Sequence, residues 1–461
     1  GRILGGSSSI NGLIFIRGQK EDYQDWENLG AANWGYNQVL PFFRRLEKYS
    51  GGESQYRGGL GQLSVSDLRN NDPYCNAWVQ AAQEFGLPLN KDFNSENSFG
   101  VGAYQLSINK RWRSSSADAF LKPAIRRPNL TVKTHCHTTK VLFEGNRAIG
   151  VEWLENGKTN QATSTCEIIL AAGALQSPQI LQLSGIGPHK LLEKHNIPIV
   201  VDAPEVGQNL QDHYQMRTIL KLKKKESLNN QIRNPLRLAQ WGLKWILNGS
   251  GPLTVGAGQV GGGACTKFAQ NGRPDVQFNV MPLSVDKPGM PLHKYAGFTA
   301  SVWQCHPESR GSLEIISTNP LEQAKIKPNY FSVKKDRDVI VEGVKMLREI
   351  ANQPSFRDLW EVEVLPGLES NTDDQIWRQV RDNGGTVFHS VGTCRMGNDT
   401  SSVVDPELKV RGVTGLRVID ASIMPSITSA NTNAPTLMIA EKGAALVLGQ
   451  SPRNSGDDYL G

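Results

Sequence analysis

The sequence predicts an α/β protein with a second, α+β part: one domain on a nucleotide-binding type of strand–helix unit, the other on an antiparallel sheet with helices. Three observations predict it. At 461 residues the chain exceeds one typical domain. In "TCEIILAAGALQSPQILQLSGIG", 165–187, a continuous apolar run from Ile168 to Ala172 meets Gly173, and Ile180, Leu181 and Leu183 follow at helical spacing, as in a buried strand feeding a helix. Residues 275–332 alternate like strands in "DVQFNVM", "GFTASVWQC", "GSLEIIS" and "AKIKPNYF".

Taken in order, the chain opens on "GRILGGSSSINGLIFIRG", with four glycines and three serines in the first twelve positions. Gly and Ser carry almost no side chain, so this run suits a backbone that approaches a ligand closely. Residues 129–158 alternate apolar and polar with breaks at Gly and Asn, predicting consecutive antiparallel strands. "NPLRLAQWGLKWIL", 234–247, sets Arg237, Gln240 and Lys244 on one side and Leu238, Trp241 and Trp245 on another. It reads as an amphipathic helix facing the core, with a peripheral membrane contact as the alternative. "GSGPLTVGAGQVGGGAC" is expected to loop near a ligand or link elements, and 336–353 to form a helix through Val339, Val341, Val344, Leu347 and Ile350.

Composition narrows the function. Net charge is +6, hydrophobic content 38% and charged content 20%, without a clustered basic arm or zinc-finger pattern, so nucleic acid is not the expected partner. The six cysteines are scattered without a CxxC pair and read as buried, reduced thiols. "HCH" at 135–137 offers two imidazoles on one strand face but no third ligand, and no metal is expected. No apolar run reaches the roughly 18 residues a spanning helix needs. The abrupt start leaves localisation unreadable, with a cytoplasmic chain or one peripheral at the inner membrane favoured.

The last sixty residues carry the chemistry. "FHSVGTCRMG" places His389 beside a Gly-Thr turn, and "GLRVIDASIMP", 415–425, is a buried strand ending at Asp420 and Ala421. "SANTNAPTLMIAEKGAALV" starts a helix with Asn433 as a capping residue and Pro435 in the first turn. Its free N–H groups and positive dipole end suit developing negative charge.

These segments resemble the glucose–methanol–choline (GMC) flavin oxidoreductases. Gly1–Gly18 is similar to the family's first signature and Gly173–Gly187 to its second. "VGQNLQDH", "HSVGTCRMG", "VVDPELKVRGVTGLRVIDASIMP" and "NTNAPTLMIAEK" resemble its later blocks in order, and the resemblance runs to about Leu448. It implies a discontinuous FAD-binding, Rossmann-like domain from 1–50, 129–213 and 389–450, a substrate-binding cap from 51–128 and 214–388, and a tail at 451–461. The GxGxxG unit that opens such domains is not in this sequence, so the resemblance implies a fragment lacking several tens of N-terminal residues. Such a fragment is expected to bind FAD poorly, which its flavin absorbance would report.

The resemblance further implies that Gly5, Gly6, Ser7 and Asn11 approach FAD, that Asp420 and Ala421 position it through the main chain, and that Asn433 and Pro435 begin the helix beside it. Thr138 and Ala172 are weaker cofactor candidates, and Asn209, Asp212 and His213 either brace a turn or approach the site. His389 is implied as general base, Asn431 as the residue orienting the substrate oxygen, and flavin N5 as the hydride acceptor. Some members attach flavin through a His where Ile10 stands, so FAD is expected to be non-covalent. The branch most resembled, choline and aliphatic-alcohol dehydrogenases, implies a primary alcohol oxidised to an aldehyde, with a quinone or other acceptor. Choline itself is an alternative, for which Trp241, Trp245 and Trp303 are available as a cage. The same resemblance leaves room for an oxygen-using alcohol or sugar oxidase, a hydroxynitrile-lyase-like protein or a non-catalytic flavoprotein.

Overall fold

A computed structural model describes residues 1–450 apart from 71, 225, 255, 257 and 288. The expected 451–461 tail lies outside the described residues.

After the opening loop come α1 (Lys20–Asn28), α2 (Tyr36–Leu46) and α3 (Pro73–Glu84). Asp72 caps α3 by accepting from the N–H of Tyr74 and Cys75, and Pro73 takes the first turn, where no amide is needed. Strands β1 (Cys136–Glu144), β2 (Arg147–Glu155) and β3 (Lys158–Thr163) form the antiparallel meander predicted at 129–158. Next are β4 (Ile168–Leu170), α4 (Ser177–Leu183), β5 (Tyr214–Leu222) and α5 (Pro235–Asn248). Strands β6 (Val260–Ala264), β7 (Val276–Met281) and β8 (Gly297–Gln304) lead into α6 (Lys334–Ala351), β9 (Trp360–Leu365) and α7 (Asp373–Asn383). Finally β10 (Leu416–Val418) precedes α8 (Asn433–Val447).

The large sheet has the order β6-β7-β8-β5-β9, all antiparallel, with Gly385–Thr386 also pairing onto β5. Its even-numbered face on β7 and β8, including Phe278, Phe298 and Val302, packs with Trp78 of α3 and Ile340, Val344 and Leu347 of α6 into one core. Residues from 15–46, β4, β10 and α8 form another, around Trp26, Phe43, Val418 and Met438. Leu63, Val65 and Ala119 join this core, whereas the resemblance assigns 51–128 to the cap. A small third cluster joins Leu13, Ile14, Tyr104 and Ala430.

Several expectations are corrected. The Gly-rich stretch read as a loop is strand β6 from Val260, buried throughout. A Cβ on Gly262 would lie 1.8 Å from the carbonyl oxygen of Gly100, so glycine there permits close backbone approach. The strand expected to be fully buried is covered on one side: among the described residues β4 pairs with β10 alone, and Ile169 is 45% exposed. Helix α5 has no buried residue, contrary to its core-facing reading. His135 has φ 59° and precedes β1, so it does not share a strand face with His137. All six cysteines are free, but Cys166 is exposed and Cys136 and Cys265 are half-buried. Thr432, not Asn433, stands at the N-cap position of α8, without a side-chain cap bond; Asn433 is its first residue and Pro435 its third, where an amide has no partner within the helix.

Candidate active site

His389 lies in the segment that follows the Gly385–Thr386 pairing on β5, and it is buried. Asp212, just before β5, positions it. One carboxylate oxygen of Asp212 accepts the backbone N–H of His389 (2.8 Å), and the other accepts the hydroxyls of Tyr330 and Thr386. Asn209 ties the same region down by donating to the carbonyls of Gly392 and Pro425.

The hydrogen bonds define a protonation pattern. His213 Nε2 lies 3.0 Å from the Cys305 carbonyl, which can only accept, so Nε2 carries a proton. Burial pushes the His213 pKa down to about 4, which keeps the ring neutral and leaves a lone pair on Nδ1. That atom is 3.0 Å from His389 Nδ1, so His389 donates there. His389 is also neutral, driven well below the usual histidine range by burial and then by His213. Its lone pair therefore sits on Nε2, 3.2 Å from Asn431 Nδ2. Asn431 Oδ1 in turn accepts from Gln277 Nε2 (3.3 Å), which turns the amide nitrogen toward His389. The Trp303 ring lies 6.3 Å from the His389 ring.

Asn431 immediately precedes the α8 cap and follows Ala430 of the small cluster. Ser429 donates its N–H and hydroxyl to Asp22 and accepts the N–H of Gln19, joining the end of the opening loop to this segment. Burial raises the Asp22 pKa, but the hydrogen bond from His306 and the charge of Arg273 outweigh it and hold the carboxyl at about 2.

The expected cofactor residues fall mainly into two groups. In the opening loop, Gly5 and Gly6 have φ of 86° and 55°, and Ser7 accepts from the Gly1 amine. Asn11 is held by Arg113, which donates to its side-chain oxygen (2.6 Å) and its carbonyl (2.8 Å). In the second group, the Asp420 carboxylate accepts from Gly173 N–H, the Ser177 hydroxyl and Ser422 N–H. It thereby clamps the turn at Ala172 to the short helix that begins at Ala421, and Gly392 N–H reaches the Ala421 carbonyl (3.4 Å). Thr138 sits on β1 opposite Trp153, outside this network.

Two observations fit a large, anionic, backbone-bound group. Nothing lies within 4 Å of where a Cβ would stand on Gly6, Gly12 or Gly173, so the backbone there faces open space. No side chain caps α8, which leaves its first amides available to an acceptor. Sequence reasoning leaves the role of His213 open and does not reach Gln277. His213 ends the quoted "VGQNLQDH" block, whereas no pattern around Gln277 marks it.

Comparison with known proteins gives the family. The GMC oxidoreductase N-terminal family model matches residues 1–215 and the C-terminal model residues 307–440. An alcohol dehydrogenase (acceptor) of Pseudomonas putida is 39% identical over 464 residues, spanning 100% of this chain and 84% of that protein. The mitochondrial choline dehydrogenase of Homo sapiens is 39% identical over 452 residues, spanning 98% and 76%. Among solved structures, pyridoxine 4-oxidase from Mesorbium loti aligns with a TM-score of 0.85 at 28% identity, covering 96% of this chain and 83% of that one. A formate oxidase of Aspergillus oryzae RIB40, solved to follow the effect of a mutation on FAD modification, aligns at 0.89 and 25% identity, covering 97% and 84%. The family and these flavin-enzyme neighbours imply FAD as the cofactor. The chain belongs to the GMC oxidoreductase family and is an oxidoreductase acting on CH–OH groups.

Proposed function

We propose that the chain oxidises a neutral primary alcohol to its aldehyde, with His389 as base through Nε2 and Asn431 orienting the substrate oxygen. The observation that carries this reading is the convergence of a lone pair and an N–H donor 3.2 Å apart. A hydroxyl seated beside both can give its proton to His389 Nε2 while accepting from Asn431 Nδ2. Neutral imidazole is the competent form of such a base, and burial keeps it neutral. The Gly5–Asn11 loop, the Ala172 turn, Ala421 and the first amides of α8 would hold FAD, with Asp420 bracing the turn. FAD supplies the acceptor for the hydride that leaves the carbinol carbon. Ile10 offers no nucleophile for attachment, which supports non-covalent binding. A quinone or another acceptor would take the electrons on.

Choline is the second reading, because relatives carry that name. The sheet face bearing Gln277, Asn279, Ser301 and Trp303 supports a neutral substrate instead. Arg217 lies on that face opposite Ser301, and no acidic residue of β5, β7 or β8 does so among the described residues. Buried polar atoms there, Gln277 Oε1, Asn279 Oδ1 and Trp303 Nε1, have no partner among the described residues and suit hydroxyl groups. A quaternary ammonium would meet a like charge.

Anaerobic stopped-flow reduction of the flavin tests both parts. A neutral primary alcohol should bleach it, choline should be at least about tenfold poorer, and His389→Ala should slow bleaching ~10²–10⁴-fold. Preference for choline, or an unaffected variant, would overturn the reading, and a flavin that no alcohol bleaches would indicate a lyase or a non-catalytic protein.

A further inference from the structure

Helix α5 is well formed yet packs through one face only. Asn234 caps its start by accepting from Leu236 and Arg237 N–H, and Gly249 closes it in the left-handed conformation. Trp241, Gly242 and Trp245 are half-buried. Trp245 meets Trp112 edge-on at 4.8 Å and donates to the Arg111 carbonyl. Leu236, Leu243 and Leu247, spaced to share the opposite side, are 76%, 57% and 67% exposed. Ile246 stands beside them at 56%. Helices of this length are marginal in water on propensity alone, so an apolar stripe of this kind implies something that covers it.

The charges say what. Arg237 and Lys244 flank the leucine stripe on this helix, and residues 227–274 contain no Asp or Glu. A second copy docked face to face would bring these cations together, which disfavours self-association. Basic residues beside a leucine face match the interface of a bilayer that carries negative headgroups. We propose that α5 lies in the surface plane of an anionic membrane, with Leu236, Leu243 and Leu247 dipped into the acyl boundary and Arg237 and Lys244 at the headgroups. The strand segment that supports α5 through Arg111 and Trp112 continues to Arg113, which holds Asn11 of the opening loop. The proposed surface is thus tied to the loop read as the cofactor's, although the docking itself does not depend on the redox reading.

The test is sedimentation of the holoenzyme with vesicles of phosphatidylglycerol and phosphatidylcholine in equal parts, against phosphatidylcholine alone. Binding to the anionic vesicles is expected, weakened by salt. The combined Leu236→Glu, Leu243→Glu and Leu247→Glu variant should partition at least about tenfold less, with an unchanged melting temperature because none of the three leucines is buried. Should that variant misfold, Arg237→Glu with Lys244→Glu retains the stripe and should lose the preference for anionic vesicles. Absence of wild-type binding, or equal binding by a folded variant, would overturn the proposal. So would a concentration-dependent dimer that the leucine substitutions dissolve, since that assigns the face to a second copy.

Discussion

An imidazole can abstract a proton only through the nitrogen that holds its lone pair, so the partner on the other nitrogen matters as much as the base itself. Here that partner is His213, anchored at its far side by the Cys305 carbonyl. His213→Leu would leave His389 Nδ1–H buried without an acceptor and release the tautomer. We expect kcat to fall about ten- to a hundredfold, the usual range for a supporting hydrogen bond, with KM little changed. His213→Asn keeps an acceptor near the Nδ1 position and should recover most of kcat. Equal loss in both variants, or a loss confined to KM, would show that His213 only packs. His389 and Asn431 were legible because each stands in a motif. The contact with His213 spans 176 residues of sequence, and the two rings meet because Gly385–Thr386 pairs on β5, Asp212 holds the His389 N–H and Gln211 bridges to Val391.

At the level of elements, periodic segments were readable and covered surfaces were not. The meander from β1 to β3 and helix α6 follow apolar spacing that local residues state outright, and α8 was readable from Pro435 in its first turn. Strand β6 did not, because glycine normally signals a turn. Its three glycines answer to neighbours far away in sequence: Gly261 to Tyr104, Gly262 to Gly100 and Gly263 to Ser98. Replacing Gly262 by Ala forces a methyl into the Gly100 carbonyl and should destabilise the protein by roughly 1–3 kcal/mol, whereas Gly145→Ala in the open β1–β2 turn meets no atom and carries only the strain of a left-handed backbone. Urea unfolding of the two variants gives the comparison, and equal midpoints would contradict the packing argument. The same limit explains α5 and β4: spacing says which residues share a face, not what lies against it.

Across the whole molecule, the candidate site is a seam between the two main cores. Asn431 comes from the start of α8 and His389 from the segment that leaves the large sheet after Thr386, while Gln277 and Trp303 lie on that sheet and His213 and Cys305 at its strand ends. Closing that seam buries two neutral histidines, which ties stability to pH. His213 binds its proton at about 4 in the folded chain and His389 well below 6.5, against roughly 6.5 when unfolded. Between those values the unfolded chain holds more protons, so stability must fall as pH drops. The contribution is complete above about 6.5 and is lost as pH falls through about 4, on the order of a few kcal/mol. Asp22 acts lower: its carboxyl stays ionised to about 2, so its share is present above the usual carboxylate value and disappears only in stronger acid. Asp212, raised by burial, opposes the histidines near the bottom of their window. Urea midpoints measured from pH 7.5 down to pH 4.5 should therefore decline, and His213→Asn should flatten part of that decline while leaving the loss in stronger acid unchanged. A flat profile in the wild type would mean that the seam admits a proton without opening, and that His389 is not held neutral by burial.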